Sequence, residues 1–315
     1  MSIAFIFPGQ GSQAVGMGKA LADSFAIARN VFAEVDEALN EKLSAIIWEG
    51  PADRLMLTEN AQPALMAVSL ATMRVLETEA GLDLKRDAAF VAGHSLGEYS
   101  ALAAAGSLAI ADTARLLRIR GRAMQAAVPV GAGAMAALLG LEFAAASEAA
   151  VDAAQGQICQ AANDNGGGQV VVSGDKAAVE RAVEIAKGKG ARRAMLLPVS
   201  APFHCALMQP AADAMADALA KVTVRPPVVP LVANVLARAI SDPAEIVRSL
   251  VAQVTGTVRW RECIAYMAEH GVDSFYEVGA GKVLSGLVKR IAAGATGTAI
   301  GTPDDVAALK AARAK

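Results

Sequence analysis

Apolar and polar residues follow two different periods along most of the chain. Short apolar runs typical of buried strands recur between longer segments in which apolar residues repeat every three or four positions, as in helices. The runs predict strands at residues 3–7, 89–92, 228–233, 274–278 and 298–301. The helical repeats lie at about residues 18–40, 61–80, 96–105, 112–125, 241–254, 259–270, 281–293 and from 304 onward, with Pro63 expected in the first turn of its helix. This alternation favours an α/β fold with a parallel, doubly wound sheet.

A different order of elements is predicted for residues 127–199. The pattern there reads strand 134–140, helix 142–154, strand 158–163, strand 169–173, helix 176–187 and strand 191–199, with a glycine-rich turn at 164–168. This β-α-β-β-α-β order is that of ferredoxin-like domains. We therefore expect a large α/β domain, formed by residues 1–126 and 200–315, with a small ferredoxin-like α+β domain inserted at residues 127–199.

A candidate nucleophile, Ser95, lies where the strand at residues 89–92 meets the helix that follows it. The pentapeptide at positions 93–97 is GHSLG, which fits the pattern G-x-S-x-G. A sharp strand-to-helix turn exposes the serine hydroxyl, and glycines on either side let neighbouring backbone approach without a Cβ in the way. Such pentapeptides also arise by chance in tight turns that have no catalytic role, so the assignment needs a base.

Arg120 is a candidate binding residue for an anion. On a helical wheel of residues 112–125 it falls among apolar residues, while the other arginines of the segment fall together on another side (Arg115, Arg118 and Arg122). We expect those three, with Arg192 and Arg193, to be ordinary exposed charges. An inward guanidinium needs a partner, and its planar fork suits a carboxylate. That partner is either a carboxylate of the substrate or a structural acidic residue of the protein.

The chain offers three imidazoles as a base for Ser95. His94 is adjacent in the turn and should project away from Ser95, while His270 precedes Gly271 at the end of a predicted helix, where an imidazole is ordinary. His204 follows a strand more than a hundred residues after Ser95, in the order that hydrolase-like sites show. Elimination therefore selects His204. No acidic residue stands in an obvious place to orient it, and a backbone or amide oxygen could do so instead.

Composition and charge narrow the class of protein. The 315 residues are 54% hydrophobic but only 4% aromatic, which favours helices packed closely on a sheet over an aromatic-rich sandwich. A net charge of −2 provides no basic field for nucleic acid. The start lacks the features of a signal peptide and no apolar run reaches the length of a membrane span, so a cytoplasmic protein is expected. Three scattered cysteines without a C-x-x-C pair indicate neither a disulfide framework nor a zinc site.

Taken together, several stretches resemble the malonyl-CoA:acyl carrier protein transacylases of fatty acid synthesis. They are FPGQGSQ at 7–13, GHSLGE at 93–98, Arg120-Gly121, QAAN at 160–163, VSG at 172–174, SAPFH at 200–204, Gln253 with VRW at 258–260, and EVG at 277–279. The resemblance implies a hydrolase-like core with a ferredoxin-like insertion. It also implies that Ser95 is acylated, that His204 is the base and that Arg120 holds the malonyl carboxylate.

The resemblance implies further site residues. The backbone N–H groups of Gln10 and Leu96 would form the oxyanion hole, and the carbonyl of Gln253 would orient His204. Asn163 would contact the substrate, and Phe203 would crowd an α-methyl group and so favour malonyl over methylmalonyl.

The function implied is a two-step acyl exchange from malonyl-CoA to acyl carrier protein, with no metal or redox cofactor. A serine thioesterase or esterase, a malonyl transferase subunit of another multienzyme system such as malonate decarboxylase, and an inactive docking module remain as alternatives.

Overall fold

The computed structural model describes residues 2–314. Its strands are β1 (Ile3–Phe7), β2 (Phe90–Gly93), β3 (Gly133–Leu139), β4 (Cys159–Asp164), β5 (Gln169–Asp175), β6 (Arg193–Leu196), β7 (Leu231–Ala233), β8 (Arg238–Ile240), β9 (Ser274–Val278) and β10 (Thr296–Ile300). Its helices are α1 (Lys19–Ser24), α2 (Ala26–Leu39), α3 (Leu43–Glu49), α4 (Ala52–Met56), α5 (Thr58–Glu79), α6 (Leu84–Asp87), α7 (Gly97–Ala104), α8 (Ile110–Ala126), α9 (Phe143–Ala154), α10 (Lys176–Gly188), α11 (Gln209–Leu219), α12 (Pro243–Thr255), α13 (Trp260–Glu269), α14 (Val283–Ile291) and α15 (Pro303–Arg313). None of the helices within these residues is both long and apolar enough to cross a membrane.

The larger sheet has the strand order β10-β9-β1-β2-β7-β8. Its first five strands pair in parallel, and β8 returns antiparallel to β7 at the edge. Successive side chains of a strand point to opposite faces. Accordingly, Ala4 and Ile6 of β1 pack in a core with α13 and α14, whereas Phe5 and Phe7 pack in the main core with α5 and α8. Helices therefore cover both faces of this sheet.

A separate antiparallel sheet has the order β4-β5-β3-β6. The helices α9 and α10 pack on it around an alanine- and valine-rich cluster of their own. The sheet is attached to the rest of the molecule at β4, where the N–H of Val258 donates to the carbonyl of Ala162 and the N–H of Asp164 donates to the carbonyl of Val258. The prediction of a mixed α/β protein with a parallel-containing sheet and a second, antiparallel one is confirmed.

Several element boundaries differ from those predicted. The helix expected at 18–40 is interrupted at Phe25, whose backbone is extended, and the apolar repeat continues on both sides of this break, which hides it from the pattern. Helix α5 begins at Thr58, so Pro63 lies beyond its first turn. Five elements were not predicted at all, namely α3, α4, α6, α11 and β8. Four of these are seven residues or shorter, too short to show a period.

The register of the parallel sheet brings two loops of the site together. Phe7 of β1 pairs with Gly93 of β2, so both strands end at the same edge. The loop after β1, which carries Gln10, is thereby brought beside the turn after β2, which carries Ser95. Binding sites of open parallel sheets form at this carboxyl edge.

Candidate active site

Ser95 occupies a strained turn between β2 and α7. Its φ is +54°, a left-handed conformation that is rare for residues other than glycine. The turn is also very tight, because a Cβ on Gly93 would lie 1.9 Å from the carbonyl group of Gly97, and a Cβ on Gly97 would lie 2.3 Å from the carbonyl oxygen of Phe7. Both glycines of the G-x-S-x-G pattern are thus required by close approach of backbone to backbone.

The side chain of Asn234, directly after β7, is hydrogen-bonded to the backbone of this turn. Its Oδ1 accepts the N–H of Ser95 at 2.8 Å, and its Nδ2 donates to the carbonyl of Gly93 at 2.8 Å. The backbone N–H of Asn234 in turn donates to Oε1 of Glu98 at 2.7 Å. Asn234 is fully buried, so these bonds form away from water and help to offset the strain at Ser95.

Ser95, His204 and Gln253 form a hydrogen-bonded series. The Ser95 Oγ lies 2.8 Å from Nε2 of His204, and Nδ1 of His204 lies 2.8 Å from the backbone carbonyl oxygen of Gln253. Since a carbonyl oxygen only accepts, it holds the proton on Nδ1 and leaves Nε2 free to take the proton of the hydroxyl. Burial and the positive charge of Arg120 lower the pKa of His204 to about 3, so the imidazole is neutral at pH 7.

Arg120 points inward, as the helical wheel predicts, and is 1% exposed. Its Nη1 donates to Oε1 of Gln62 at 2.8 Å, and its Nη2 donates to Oε1 of Gln253 at 2.8 Å and to Oγ of Ser95 at 3.2 Å. None of the carboxylates in residues 2–314 forms an ion pair with it. The buried charge is held by neutral oxygens beside the hydroxyl, an arrangement suited to receive an anion.

These groups open into a cavity of about 470 Å³. Apart from Gln253, every predicted site residue lines it (Gln10, Ser95, Leu96, Arg120, Asn163, Phe203 and His204). The remaining wall is mainly apolar and includes Met124, Met135, Val171, Leu197 and Val199. Among the hydrogen bonds formed within residues 2–314, none has the backbone N–H of Gln10 or Leu96 as its donor, so both groups are free to bind a ligand oxygen.

Neither of the other two histidines bonds to Ser95 within residues 2–314. Nε2 of His94 lies 2.9 Å from Oδ1 of Asn165, on the antiparallel sheet side, and His94 forms part of the cavity wall without bonding to Ser95. Nδ1 of His270 lies 2.7 Å from the carbonyl oxygen of Tyr266, one helical turn earlier.

One expectation about the arginines is wrong. Arg118 is 7% exposed, and it pairs with Glu41 at 2.9 Å and donates to Asn60 at 2.6 Å. The helical wheel placed it on a different side from Arg120, but α2 and α5 both pack against α8 and also cover the side that carries Arg118. Helix α8 therefore buries two arginines, and only Arg120 lines the cavity.

Three polar residues of the site were not singled out from sequence. Gln62 and Glu98 are buried on largely apolar helices, and Asn234 follows the buried strand β7. The Nε2 of Gln253 donates to Glu98, so the side chain of Gln253 takes part in the site as well as the backbone carbonyl that the resemblance implied. A polar residue at the carboxyl end of a buried parallel strand was the available signal for Asn234. Burial raises the pKa of Glu98 to about 8, although the hydrogen bonds from Asn234 and Gln253 act to lower that pKa.

Chemically, the site combines a hydroxyl nucleophile, a neutral imidazole base, two free backbone donors and a cation. Within the described part of the chain, no cluster of three or more His, Cys, Asp or Glu side chains is placed to hold a metal ion. The arrangement is suited to acyl transfer through a serine ester with an anionic group at the far end of the acyl chain.

Comparisons with known proteins agree with this chemistry. Residues 4–302 match the model of a family described as "Acyl transferase domain". The chain is 48% identical over 305 residues to the Malonyl CoA-acyl carrier protein transacylase of Escherichia coli K12, covering 97% of both chains. It is similar to the crystal structure of an acyl-carrier-protein-S-malonyltransferase from Bartonella henselae, with 58% identity, a TM-score of 0.97 and full coverage of both chains. A malonyl-transacylase in complex with a type II PKS acyl-carrier protein matches with 41% identity and a TM-score of 0.95, over 99% of this chain and all of that one.

The close approach at Gly93 makes a stability prediction. The change Gly93→Ala should lower the free energy of unfolding by at least about 3 kcal/mol, because the added methyl group overlaps the backbone of Gly97. The matched control is Gly286→Ala, in α14, where a Cβ meets nothing within 4 Å and the change should stay within about 1 kcal/mol of wild type. Urea unfolding measures both. Equal unfolding free energies for the two variants would contradict the tight turn.

The low pKa of His204 predicts an unusual pH profile. An imidazole with an ordinary pKa of about 6.5 would be about 30-fold depleted in its neutral form at pH 5. Here the neutral form persists, so the rate at which an uncharged fluorophosphonate labels Ser95 should change less than about twofold between pH 7 and pH 5, a range that lies below the pKa of Glu98.

The same measurement separates the two causes of that low pKa. In Arg120→Met the loss of rate on acidification should move to higher pH, because the lost positive charge no longer opposes protonation of His204. The control Arg122→Met removes an exposed charge from the same helix and should leave the profile unchanged. An unchanged profile in Arg120→Met would show that burial alone sets the pKa.

Proposed function

This chain belongs to the acyl transferase domain family, and on that premise we propose that it transfers a malonyl group from malonyl-CoA to the phosphopantetheine thiol of an acyl carrier protein. The observation that carries the proposal is the position of the Ser95 hydroxyl, 2.8 Å from the His204 imidazole and 3.2 Å from the Arg120 guanidinium. A nucleophile, a base and a buried cation with no ion-pair partner in residues 2–314 therefore meet at one point. A malonyl thioester has the matching pattern, a reactive carbonyl and a carboxylate one methylene apart.

The first half-reaction forms an acyl-enzyme. Nε2 of His204 takes the hydroxyl proton as Oγ of Ser95 attacks the thioester carbonyl. The carbonyl oxygen becomes an anion, which the N–H groups of Gln10 and Leu96 stabilise. When the carbon–sulfur bond breaks, the coenzyme A sulfur takes the proton from His204, and a malonyl ester remains on Ser95.

The second half-reaction reverses these steps with a new thiol. The phosphopantetheine thiol of the carrier protein gives its proton to His204, and its sulfur attacks the ester carbonyl. The carbon–oxygen bond to Ser95 then breaks, and the serine oxygen recovers the proton from His204. The free enzyme returns between two products, which makes the kinetics ping-pong. The chemistry uses no metal and no redox cofactor.

The acyl group is held at both ends in this proposal. Arg120 binds the malonyl carboxylate, and its side chain is already ordered by Gln62 and Gln253, so little conformational entropy is lost on binding. Phe203 is 8% exposed and lines the cavity next to His204, where its ring opposes an α-methyl group. Asn163 also lines the cavity, where it supplies a polar contact.

We also propose the finer architecture and the location. Residues 1–126 and 200–315 form a hydrolase-like domain, and residues 127–199 form a ferredoxin-like domain. The strand order β4-β5-β3-β6 and the separate apolar cluster between that sheet and its two helices support this division. The proposed substrates, malonyl-CoA and an acyl carrier protein, favour a cytoplasmic enzyme.

Intact-mass analysis tests the proposed function. The wild-type protein mixed with malonyl-CoA should gain the mass of one malonyl group, and addition of holo acyl carrier protein should remove that mass and place it on the carrier. Ser95→Ala should gain nothing, because it lacks the nucleophile. Labelling that persists in Ser95→Ala would exclude Ser95 as the acylated residue, and steady release of malonate without a carrier would indicate a thioesterase.

The role of Arg120 is tested by comparing two acyl groups. Arg120→Ala should slow acylation by malonyl-CoA roughly 100-fold, because a buried charge-assisted contact with the carboxylate is lost. Acylation by acetyl-CoA, which has no carboxylate, should change much less. Arg122→Ala is the control and should affect neither substrate. Equal losses for malonyl and acetyl groups in Arg120→Ala would assign the residue a structural role.

A further inference from the structure

A chain of three hydrogen bonds connects Arg120 to the loop that carries Gln10. Nη1 of Arg120 donates to Oε1 of Gln62 at 2.8 Å, and Nε2 of Gln62 donates to Oγ1 of Thr58 at 2.9 Å. The Thr58 hydroxyl then donates to Oε1 of Gln10 at 3.0 Å. Thr58 is fully buried and Gln62 is 1% exposed, so neither can exchange these partners for water.

The direction of every bond in this chain is set by the guanidinium. Arginine has only donors, so the amide oxygen of Gln62 must face Arg120 and the amide nitrogen must face Thr58. The hydroxyl of Thr58 thus accepts one bond and has its own proton left to donate. That proton points at Gln10, and its acceptor is the side-chain oxygen of Gln10.

The position of Thr58 relative to Arg120 is fixed by backbone contact. Thr58 is the first residue of α5, and α8 lies directly on this turn, because a Cβ on Gly121 would come within 2.5 Å of Cα of Glu59 and 2.7 Å of the Thr58 carbonyl oxygen. Gln10, in contrast, is in an exposed loop. Within residues 2–314, Thr58 is the only hydrogen-bond partner of the Gln10 side chain. The rigidly held hydroxyl of Thr58 therefore fixes the end of the Gln10 side chain, which lies in an exposed loop.

We propose that Thr58 is a positioning residue for acyl transfer, which holds Gln10 so that its backbone N–H faces the oxyanion, in an orientation set by Arg120 through Gln62. This inference rests on the proposed function, in which that N–H stabilises the tetrahedral intermediate. The side chain that binds the acyl carboxylate and the loop that stabilises the oxyanion are then parts of one hydrogen-bonded unit.

Breaking the chain at Thr58 should affect its two ends unequally. Arg120 keeps its bonds to Gln62 and Gln253, so recognition of the malonyl carboxylate is retained. Gln10 loses its anchor, so the oxyanion is stabilised less well whichever acyl group is attached. The signature of this role is a slower acylation step for malonyl and acetyl groups alike, with little change in KM.

The experiment compares Thr58→Val, which removes the hydroxyl at nearly constant volume, with Thr58→Ser, which keeps it. The matched control is Thr72→Val, also fully buried on α5, whose hydroxyl bonds, among residues 2–314, only to the carbonyl of Val68 in its own helix. Single-turnover acylation is followed with malonyl-CoA and with acetyl-CoA, and unfolding is measured for each variant. Isotope-edited infrared spectra of the acetyl-enzyme report the hydrogen bonding of its ester carbonyl.

Thr58→Val should acylate about tenfold more slowly with both substrates, with a malonyl-to-acetyl ratio within about twofold of wild type. Its ester carbonyl band should move to higher frequency. Thr58→Ser and Thr72→Val should match wild type in rate and spectrum. Wild-type rates and carbonyl frequency in Thr58→Val, or equal loss in Thr58→Ser, would overturn the inference. Failure of the wild-type protein to form any acyl-enzyme would instead overturn the proposed function.

Discussion

The site depends on a positive charge that is buried with no ion-pair partner among residues 2–314. Arg120 is enclosed by amide and hydroxyl oxygens, and its guanidinium lies 5.8 Å from the centre of the Tyr99 ring. An uncompensated cation is costly to bury, so each polar group around it must be oriented to accept. This requirement orders the amides of Gln62 and Gln253. Burial together with this charge lowers the pKa of His204 and keeps the imidazole in the form that can accept a proton.

A single residue, Gln253, connects the nucleophile, the base and the buried cation. Its backbone carbonyl orients His204, its Oε1 accepts from Arg120, and its Nε2 donates to the carbonyl of Ser95 at 2.9 Å. One residue near the end of α12 thereby touches the base, the cation and the nucleophile. A side chain with both a donor and an acceptor is needed for this, and glutamine supplies them on an arm long enough to reach from the helix.

Much of this arrangement could be predicted from sequence, and the exceptions have physical reasons. The turn at Ser95 is encoded locally by two glycines, and the inward direction of Arg120 follows from its own helix. His204 was found only because two other histidines had local explanations. Arg118 was misplaced because its burial depends on neighbouring helices that a helical wheel does not contain. Asn234 joins the site because the pairing of β7 with β2 brings it beside Ser95, which lies 139 positions earlier in the chain.

The cavity is built from two parts of the molecule that contribute different things. Ser95 lies between β2 of the parallel sheet and α7, Arg120 lies on α8, and His204 lies in the loop between β6 and α11. Met135 and Val171, which also line the cavity, belong to the antiparallel sheet. Substitutions in the antiparallel sheet can therefore change the size of the acyl pocket without disturbing Ser95 and His204. Such a scaffold has an evolutionary route to new acyl substrates.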